Sequence, residues 1–301
     1  MVNGSEVEIK VGRGVRQGDC LSPRLFTAVL DRAFRQLDWS KKGICINGRF
    51  LSHILFADDA VIISHDERQI QSMAVELEKV LAGVGLQLNG DKTIGMTSKP
   101  LPRIVKVAGK VVKLQEKVVY LGSGITINGT DDWEITRRIQ AGYGAFHKHR
   151  SFLINRGIPM AHKRRLFNGC ILPAVLYGCE CWALTNAQMN RLSVAQRRME
   201  RWMVGCTVLD HVSNERLRDS TRIQDFVRDA QKRKWFWLHK IANDDNWKWS
   251  RSVIEWFPTR KRRRGRPMTR WSDIFRKTVG PNFLNEARKA SWNAMHIRAL
   301  T

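Results

Sequence analysis

Apolar residues along the first 130 positions mostly follow the two-residue period of β-strands. Alternating apolar and charged residues over 6–11 predict a half-buried strand. Apolar runs at 44–46 and 49–56 flank Asn47-Gly48, which is the strongest short signal for a β-hairpin. A third run at 61–64 then completes a predicted three-stranded antiparallel meander.

Two stretches of the same region repeat apolar residues every three or four positions, which predicts amphipathic helices. The first begins at Ser22, a predicted N-cap, and runs to about Leu37, and the second covers 67–84. A hairpin around Gly109 and a short strand at 118–122 follow them. Helices on one side of an antiparallel sheet make the predicted class of this region α+β.

From residue 131 onward the helical period dominates. The predicted helices share that period and cover 133–153, 160–172, 185–203, 213–242, 271–279 and 283–300. Pro173 is expected to end the second of them. The sequence therefore predicts an α+β domain over 1–130, an all-α region over 131–245, and a basic, Trp-rich segment over 246–301.

The net charge of +24, from 52 Lys and Arg against 28 Asp and Glu, departs from that of ordinary globular proteins. Hydrophobic residues make up 43% of the chain, so a folded core is still expected. The charge is uneven, because residues 1–130 carry 18 basic against 13 acidic residues and residues 131–301 carry 34 against 15. A basic, Trp-rich half predicts a polyanionic partner, and nucleic acid is the default.

Cysteine spacing and the lengths of apolar runs exclude several classes of protein. The six cysteines include no Cys-x₂-Cys pair with a matching His or Cys pair, so no zinc finger or knuckle is predicted. The N-terminal residues lack the apolar core of a signal peptide, and no apolar run is long enough to span a bilayer. We therefore expect an intracellular, nuclear protein with reduced thiols and no membrane partner, whose oligomeric state the sequence leaves open.

The acidic pair Asp58-Asp59 interrupts the apolar run 54–63, which has the composition of a strand buried on both faces. Buried carboxylates are costly unless something compensates their charge. A hairpin with both aspartates at its tip would let their oxygens converge on a hard divalent cation. An ordinary Asp-Asp turn requires no metal and is the simpler interpretation of this stretch alone.

Two loops carry further candidate chemistry. The stretch 12–23 combines three glycines with two arginines ahead of a helix, an arrangement that can present backbone N–H groups and guanidinium groups to phosphates. A solvated turn is the alternative interpretation of that loop. A short strand and a turn are predicted over 85–93, and Lys92 lies there, where it is either functional or an ordinary surface lysine.

Four blocks in this order, 14–23, 56–59, 85–92 and 120–122, together resemble the palm of a reverse transcriptase of the non-LTR (LINE-type) retrotransposon branch. Their sequences are GVRQGDCLSP, FADD, GLQLNGDK and YLG. The resemblance covers roughly residues 10–125. Residues 131–243 resemble, through less specific motifs, the helical segment that follows the polymerase in such elements.

The resemblance implies an RNA-directed DNA polymerase with Mg²⁺ or Mn²⁺ as cofactor. RNA template, DNA primer and dNTP are the implied partners. It assigns Asp58 and Asp59 to the metal, and Lys92 to proton donation or to the pyrophosphate.

The resemblance also implies which residues contact nucleic acid. It places Arg16, Gln17 and Gly18 against the nascent base pair. It places Tyr120, Leu121 and Gly122 beside the primer strand. The helices after residue 131 would form a basic thumb that grips the template–primer duplex through its backbone.

One departure from the family pattern is informative. The family uses another metal-binding aspartate on a strand upstream of the Gly-rich loop. In this sequence Glu6 and Glu8 are the only carboxylates before that loop. We therefore expect a truncated copy without the first catalytic aspartate and fingers, unable to extend primers beyond background. The alternative is a non-catalytic RNA- or DNA-binding remnant or domesticated module. A group II intron maturase and a purely structural basic protein fit less well.

The segment 260–266 has six basic residues in seven, including Arg262, Arg263 and Arg264. Such a run predicts a phosphate-binding arm or a nuclear-import signal. Four nearby tryptophans either stack on unpaired bases or pack short helices, and packing is the interpretation favoured for most of them.

Overall fold

The computed structural model describes residues 14–98, 104–244, 248–256 and 268–289. The chain divides into two compact units, 1–115 and 116–301. This division falls earlier than the predicted domain boundary at residue 130. The reason is that the hairpin over 117–126 is bonded to the second unit, where Gly124 N–H donates to Glu134 Oε2 at 2.7 Å.

The described part of the first unit is α+β, as predicted. Its helices and strands are α1 Ser22–Phe34, β1 Ile44–Ile46, β2 Arg49–Leu51, β3 His53–Phe56, β4 Asp59–Ile62, α2 Glu67–Gly83, β5 Ile94–Gly95, β6 Lys106–Val107, β7 Lys110–Val111 and β8 Lys113–Leu114. The pairs β1–β2, β3–β4 and β6–β7 are antiparallel, and β5 pairs with β8 in parallel.

The predicted three-stranded meander is wrong, because two separate hairpins stand in its place. Ser52 separates β2 from β3, and its carbonyl accepts a hydrogen bond from Ile63 N–H at 2.8 Å, which extends β3–β4 alone. No strand forms at 86–88 either. Leu86 and Leu88 instead pack as irregular chain on the core of the unit.

The core of the first unit lies between α1 and α2. Its buried residues are Leu30, Ala33, Phe34, Trp39, Met73, Leu77 and Leu81. Asp66 caps α2, because its side chain accepts from the backbone N–H groups of Arg68 and Gln69. The amphipathic period thus located both helices, and burial of their apolar faces against each other holds them in place.

The second unit contains one hairpin followed by helices. Its described elements are β9 Lys117–Tyr120, β10 Ser123–Thr126, α3 Asp132–Lys148, α4 Arg150–Ile154, α5 Met160–Leu166, α6 Leu172–Leu176, α7 Asn186–Val204, α8 Asn214–Thr221, α9 Phe226–Ala242, α10 Trp249–Glu255, α11 Asp273–Val279 and α12 Phe283–Lys289. The helices therefore start near the predicted positions, but several predicted single helices are divided. No helix among the described residues has both the length and the apolar character needed to cross a membrane.

Three helix boundaries differ from prediction. Pro173 does not end the helix, because a π-helical turn over Phe167–Ile171 joins α5 to α6, with Leu172 N–H bonded to Phe167 O. His149 separates α3 from α4. Arg222, in the left-handed conformation at φ 49°, ends α8 and separates it from α9.

The N-terminus of α7 is as predicted. The side chain of Thr185 accepts from Gln188 N–H, and the Gln188 side chain accepts from Thr185 N–H, which forms a capping box. The main core of the unit packs α7 against the other helices through buried side chains such as Phe146, Phe167 and Trp182. A second cluster joins α9, α11 and α12 around Phe275.

Two glycines of α3 provide a matched test of packing. A Cβ on Gly142 would lie 2.3 Å from Val175 Cγ2, whereas one on Gly144 would meet no atom within 4 Å. We expect Gly142→Ala to lower the free energy of unfolding by about 1–3 kcal/mol, because Val175 is fully buried. Gly144→Ala should raise it by about 0.5–1 kcal/mol through helix propensity. Urea denaturation followed by circular dichroism measures both, and equal effects of the two substitutions would contradict this packing.

Candidate nucleic-acid and metal site

The acidic pair lies at the tip of the β3–β4 hairpin. Phe56 pairs with Asp59, which leaves Ala57 and Asp58 as the two turn residues. Ala57 has φ 53°, a left-handed conformation that is uncommon for a residue with a side chain. Asp58 and Asp59 are both exposed. The predicted hairpin with its carboxylates at the end is therefore present.

The composition of the run 54–63 predicted burial on both faces, and this prediction is wrong. Phe56 is 61% exposed and Ile54 is 43% exposed, whereas Leu55 and Ile62 pack on the core. The strands thus bury one face only. Because the tip is in solvent, the two carboxylates need no compensation for desolvation, and they are accessible to a ligand.

Asp58 and Asp59 by themselves offer too few ligands for a metal centre of the predicted kind. Among the residues that the structure describes, no group of three or more His, Cys, Asp or Glu side chains is placed to hold a metal ion. Two adjacent carboxylates fit the donor set of one Mg²⁺ that shares its other positions with water and phosphate oxygens. They do not fit a two-ion site, which needs more anionic ligands than one pair provides.

The Gly-rich loop before α1 is exposed and internally bonded. Ser22 does not cap α1 as predicted, since the N-cap is Leu21 and no side chain caps the helix. The Ser22 hydroxyl instead donates to Arg16 O at 2.6 Å, and Asp19 Oδ1 accepts from Leu21 N–H at 2.8 Å. These bonds shape the loop that carries Arg16, Gln17 and Gly18, with Gly18 at φ 91°.

Lys92 lies on an exposed turn in the same unit. Asn89 Oδ1 accepts from the N–H groups of Asp91 and Lys92 at 3.1 and 3.2 Å, which fixes the backbone of the turn. Within the described residues, no hydrogen bond or ion pair connects Lys92 with Asp58 or Asp59. Its assigned role stays a prediction.

Leu121 and Gly122 form the turn of the β9–β10 hairpin in the second unit. Both have positive φ, 48° and 76°, as a type I′ turn requires. Tyr177 Oη donates to Leu121 O at 2.7 Å, and the Arg138 guanidinium donates to Gly122 O. This clamp fixes the predicted primer-side turn to the helices that follow it.

The clamp continues into a partly buried network around Glu134. Arg138 Nε donates to Glu134 Oε1 at 2.6 Å, and its guanidinium carbon lies 4.8 Å from the centre of the Tyr177 ring. Glu134 is 1% exposed and also bonds Arg137. The helix that carries Arg137 and Arg138 is part of the predicted basic thumb, but both side chains bond within the chain, and Tyr177 has no sequence signal. The i, i+4 spacing of Glu134 and Arg138 was the available signal.

Other cations of the helical unit remain in solvent. Exposed Lys and Arg side chains of α3 to α7 include Lys148, Arg150, Arg165, Arg191 and Arg198. They provide a positive surface that can neutralise phosphates. Arg262, Arg263 and Arg264, with the predicted strand over 6–11, lie outside the described residues.

Comparison with known proteins agrees with these features. Residues 1–125 match the family model described as reverse transcriptase (RNA-dependent DNA polymerase). A transposon-derived protein of Caenorhabditis elegans is 30% identical over 247 residues, which cover 78% of this chain and 87% of that protein. The chain belongs to the reverse transcriptases of non-LTR retrotransposons. The predicted family is thereby confirmed.

Two R2 retrotransposon relatives are much longer than this chain. The Pol polyprotein of the Drosophila melanogaster type-2 element R2DM is 34% identical over 134 residues, covering 43% of this chain and 12% of that protein. The Pol polyprotein of the Nasonia vitripennis type-1 element R2 is 27% identical over 140 residues, covering 45% and 13%. The matched part of the chain thus covers about an eighth of each polyprotein.

Proposed function

We propose that this chain provides the palm and thumb parts of an RNA-directed DNA polymerase that copies an RNA template from a DNA primer with dNTPs. The observation that carries the proposal is the exposed Asp58-Asp59 pair at the tip of a tight hairpin, in a chain of the reverse transcriptase family. The clamped Leu121-Gly122 turn and the exposed cations of the helical unit support contact with primer and duplex.

The proposal includes an incomplete metal centre. Asp58 and Asp59 would hold Mg²⁺ or Mn²⁺, and such ions, when bound, neutralise the charge that develops on transferring phosphoryl groups. Because the described residues add no third ligand, we expect this chain alone to extend primers no faster than background. A further carboxylate from outside the described residues would be needed for two ions.

Primer extension tests this directly. The purified chain is incubated with an RNA template, a labelled DNA primer, dNTPs and Mg²⁺, beside Asp58→Ala and Asp58→Asn variants. The expected result is background synthesis that is the same in all three proteins. Robust synthesis by the wild type that both substitutions abolish would show that the centre is complete.

The second candidate function is binding of RNA or DNA without catalysis. It is favoured by the net charge of +24 and by the exposed Lys and Arg side chains on α3 to α7. Filter binding of an RNA–DNA duplex separates the two functions, because Asp58→Ala should leave duplex affinity unchanged. If the unmodified chain does not bind the duplex, both candidate functions are wrong.

The run 260–266 should contribute to binding through phosphate contacts alone. We expect the joint substitution of Arg262, Arg263 and Arg264 by Ala to flatten the slope of log K against log salt by about 2–3, since each phosphate contact releases counterions. The matched control replaces the same three residues by Lys, which retains the charge and should retain the slope. An unchanged slope in the alanine variant would contradict a phosphate-binding role for this run.

A further inference from the structure

A cavity of about 250 Å³ lies within the second unit, between the start of α7, α9 and α11. The lining side chains that matter here are Trp182, Leu184, Met189, Lys234, Arg270 and Lys277. Pockets for drug-sized ligands are typically larger, from about 300 Å³ upward. The volume therefore suits a single small molecule or one residue of a polymer.

Lys234 brings a buried cation to this cavity, and its ammonium group lies 5.2 Å and 5.5 Å from the ring centres of Trp271 and Phe275. Its side chain is buried, and its ammonium group donates to Trp182 O at 2.7 Å. This bond uses one of the three N–H donors of the ammonium group. None of the described carboxylates forms an ion pair with Lys234. Burial lowers the pKa of Lys234 to about 8, although Asp131, Asp273 and Cys181 act in the opposite direction. The ammonium group makes one hydrogen bond within the chain, so it has further N–H donors to offer to an anion in the cavity.

Trp182 provides an independent observation. It is 2% exposed, and its indole N–H has no hydrogen-bond partner among the described residues. Buried tryptophan N–H groups usually have an acceptor. A ligand with an acceptor atom next to the Trp182 wall would satisfy this donor.

The remaining walls are partly apolar and partly cationic. Leu184, Met189 and Ile274 offer an apolar surface, and methionine sulfur packs well against aromatic rings. Arg270 and Lys277 add two positive charges. The lining carboxylate, Asp273, already accepts from Arg270 N–H at 2.7 Å. An anion with a flat, apolar body would complement both parts of the lining.

We propose that this cavity binds one nucleotide, with its base against the apolar wall and its phosphate near Lys234 and Lys277. A nucleotide combines the aromatic body, the acceptor atoms and the negative charge that these residues require. It can come from two sources, a free mononucleotide or an unstacked nucleotide of a single strand. The site is separate from polymerisation, because it uses neither Asp58 nor Asp59.

Binding of 2′-deoxyadenosine 5′-monophosphate, followed by ligand-observed NMR and titration calorimetry, tests the proposal. Adenosine and inorganic phosphate serve as partial probes and should each bind at least tenfold more weakly. Lys277→Gln should weaken the mononucleotide at least tenfold, as expected for a lost charge-assisted hydrogen bond. Trp182→Phe, which retains a ring without the N–H, should weaken it about fivefold or more.

The matched control is Lys240→Gln, which removes an exposed charge from α9 without altering the cavity lining and should change affinity less than twofold. Lys277 is also exposed, so Lys277→Gln keeps the test valid even if Trp182→Phe fails to fold.

A ten-residue oligodeoxyadenylate is titrated in parallel. Competition with the mononucleotide identifies the strand as a source, and its absence identifies the free nucleotide.

Either of those results supports the site. If neither the mononucleotide nor the oligonucleotide loses affinity in Lys277→Gln beyond the loss in Lys240→Gln, the cavity is not a nucleotide site. If the wild type binds neither probe, the proposal is also overturned. Primer extension plays no part in these measurements, so the proposed polymerase function can fail without affecting them.

Discussion

Replacing Glu200 by alanine is expected to lower the free energy of unfolding of the second unit by about 3–5 kcal/mol, as measured by urea denaturation. Glu200 is fully buried in α7 and accepts from Arg197 Nη1 at 2.6 Å. It also accepts from Gln196 Nε2 at 3.0 Å. Removal of this carboxylate leaves Arg197, which is 5% exposed, as a buried cation that has lost one of its two anionic partners.

The same network explains why the cost should be large. Arg197 Nη2 also bonds Asp225, the N-cap of α9, at 2.9 Å, and Gln196 accepts from Phe226 N–H at 2.7 Å. Burial raises the pKa of the Glu200 carboxyl and lowers the pKa of the Arg197 guanidinium. Both shifts reflect desolvation, and a desolvated charge is stabilised mainly by its partner.

A surface pair provides the control. Arg251 and Glu255 in α10 form an i, i+4 pair at 3.0 Å with side chains 36% and 40% exposed. Glu255→Ala should cost less than about 1 kcal/mol, because exposed pairs contribute little. The joint substitution of Arg197 and Glu200 by Met should recover part of the loss. A cost for Glu200→Ala no greater than that of Glu255→Ala would contradict the network.

Lys234→Met should remove a pH dependence of stability that the wild type shows above neutrality. The pKa of Lys234 is lowered by burial from its ordinary 10.5 to about 8 in the folded chain. Between these two values the unfolded chain binds more protons, so the stability of the wild type rises with pH. From pH 7 to pH 10 the gain should be on the order of 2 kcal/mol.

The measurement is urea denaturation of both proteins at pH 7, 8, 9 and 10. Other groups titrate in both proteins and cancel in the difference between the two stability curves. Lys240→Gln again serves as the control, because Lys240 is exposed and should leave the wild-type pH dependence unchanged. Parallel curves of stability against pH for the wild type and Lys234→Met would contradict the prediction. They would show that the pKa of Lys234 is not lowered in the folded chain.

Much of the acidic site was readable from the sequence. Two carboxylates between short apolar runs predict a hairpin tip, because local turn geometry and the two-residue strand period suffice to place them. The exposure of Phe56 and Ile54 was not readable, since it depends on which face of the hairpin meets α1 and α2. The division of the predicted strand 49–56 into β2 and β3 at Ser52 was not readable either.

The turn at Leu121-Gly122, in contrast, was mostly not readable from the sequence. The sequence indicated a strand that ends at glycine, but not the second strand β10, nor Arg138 and Tyr177, which bond to the turn. Tyr177 lies 56 residues from Leu121 along the chain, so no local pattern connects them. A Cβ on Gly122 would lie 3.2 Å from the Tyr177 ring, a constraint that only the folded structure contains.

The sequence by itself determined the family, the α+β and all-α parts, the start of the helix at residue 185 and the position of Asp58-Asp59. These follow from motifs, periodicity and hydrogen bonds between residues close in the chain. Tertiary structure alone decided that Arg138 clamps a turn, that Pro173 lies inside a helical path, and that Lys234 and Trp182 face a shared cavity. The physical reason is that desolvation and unpaired buried groups arise only when distant segments exclude water from each other.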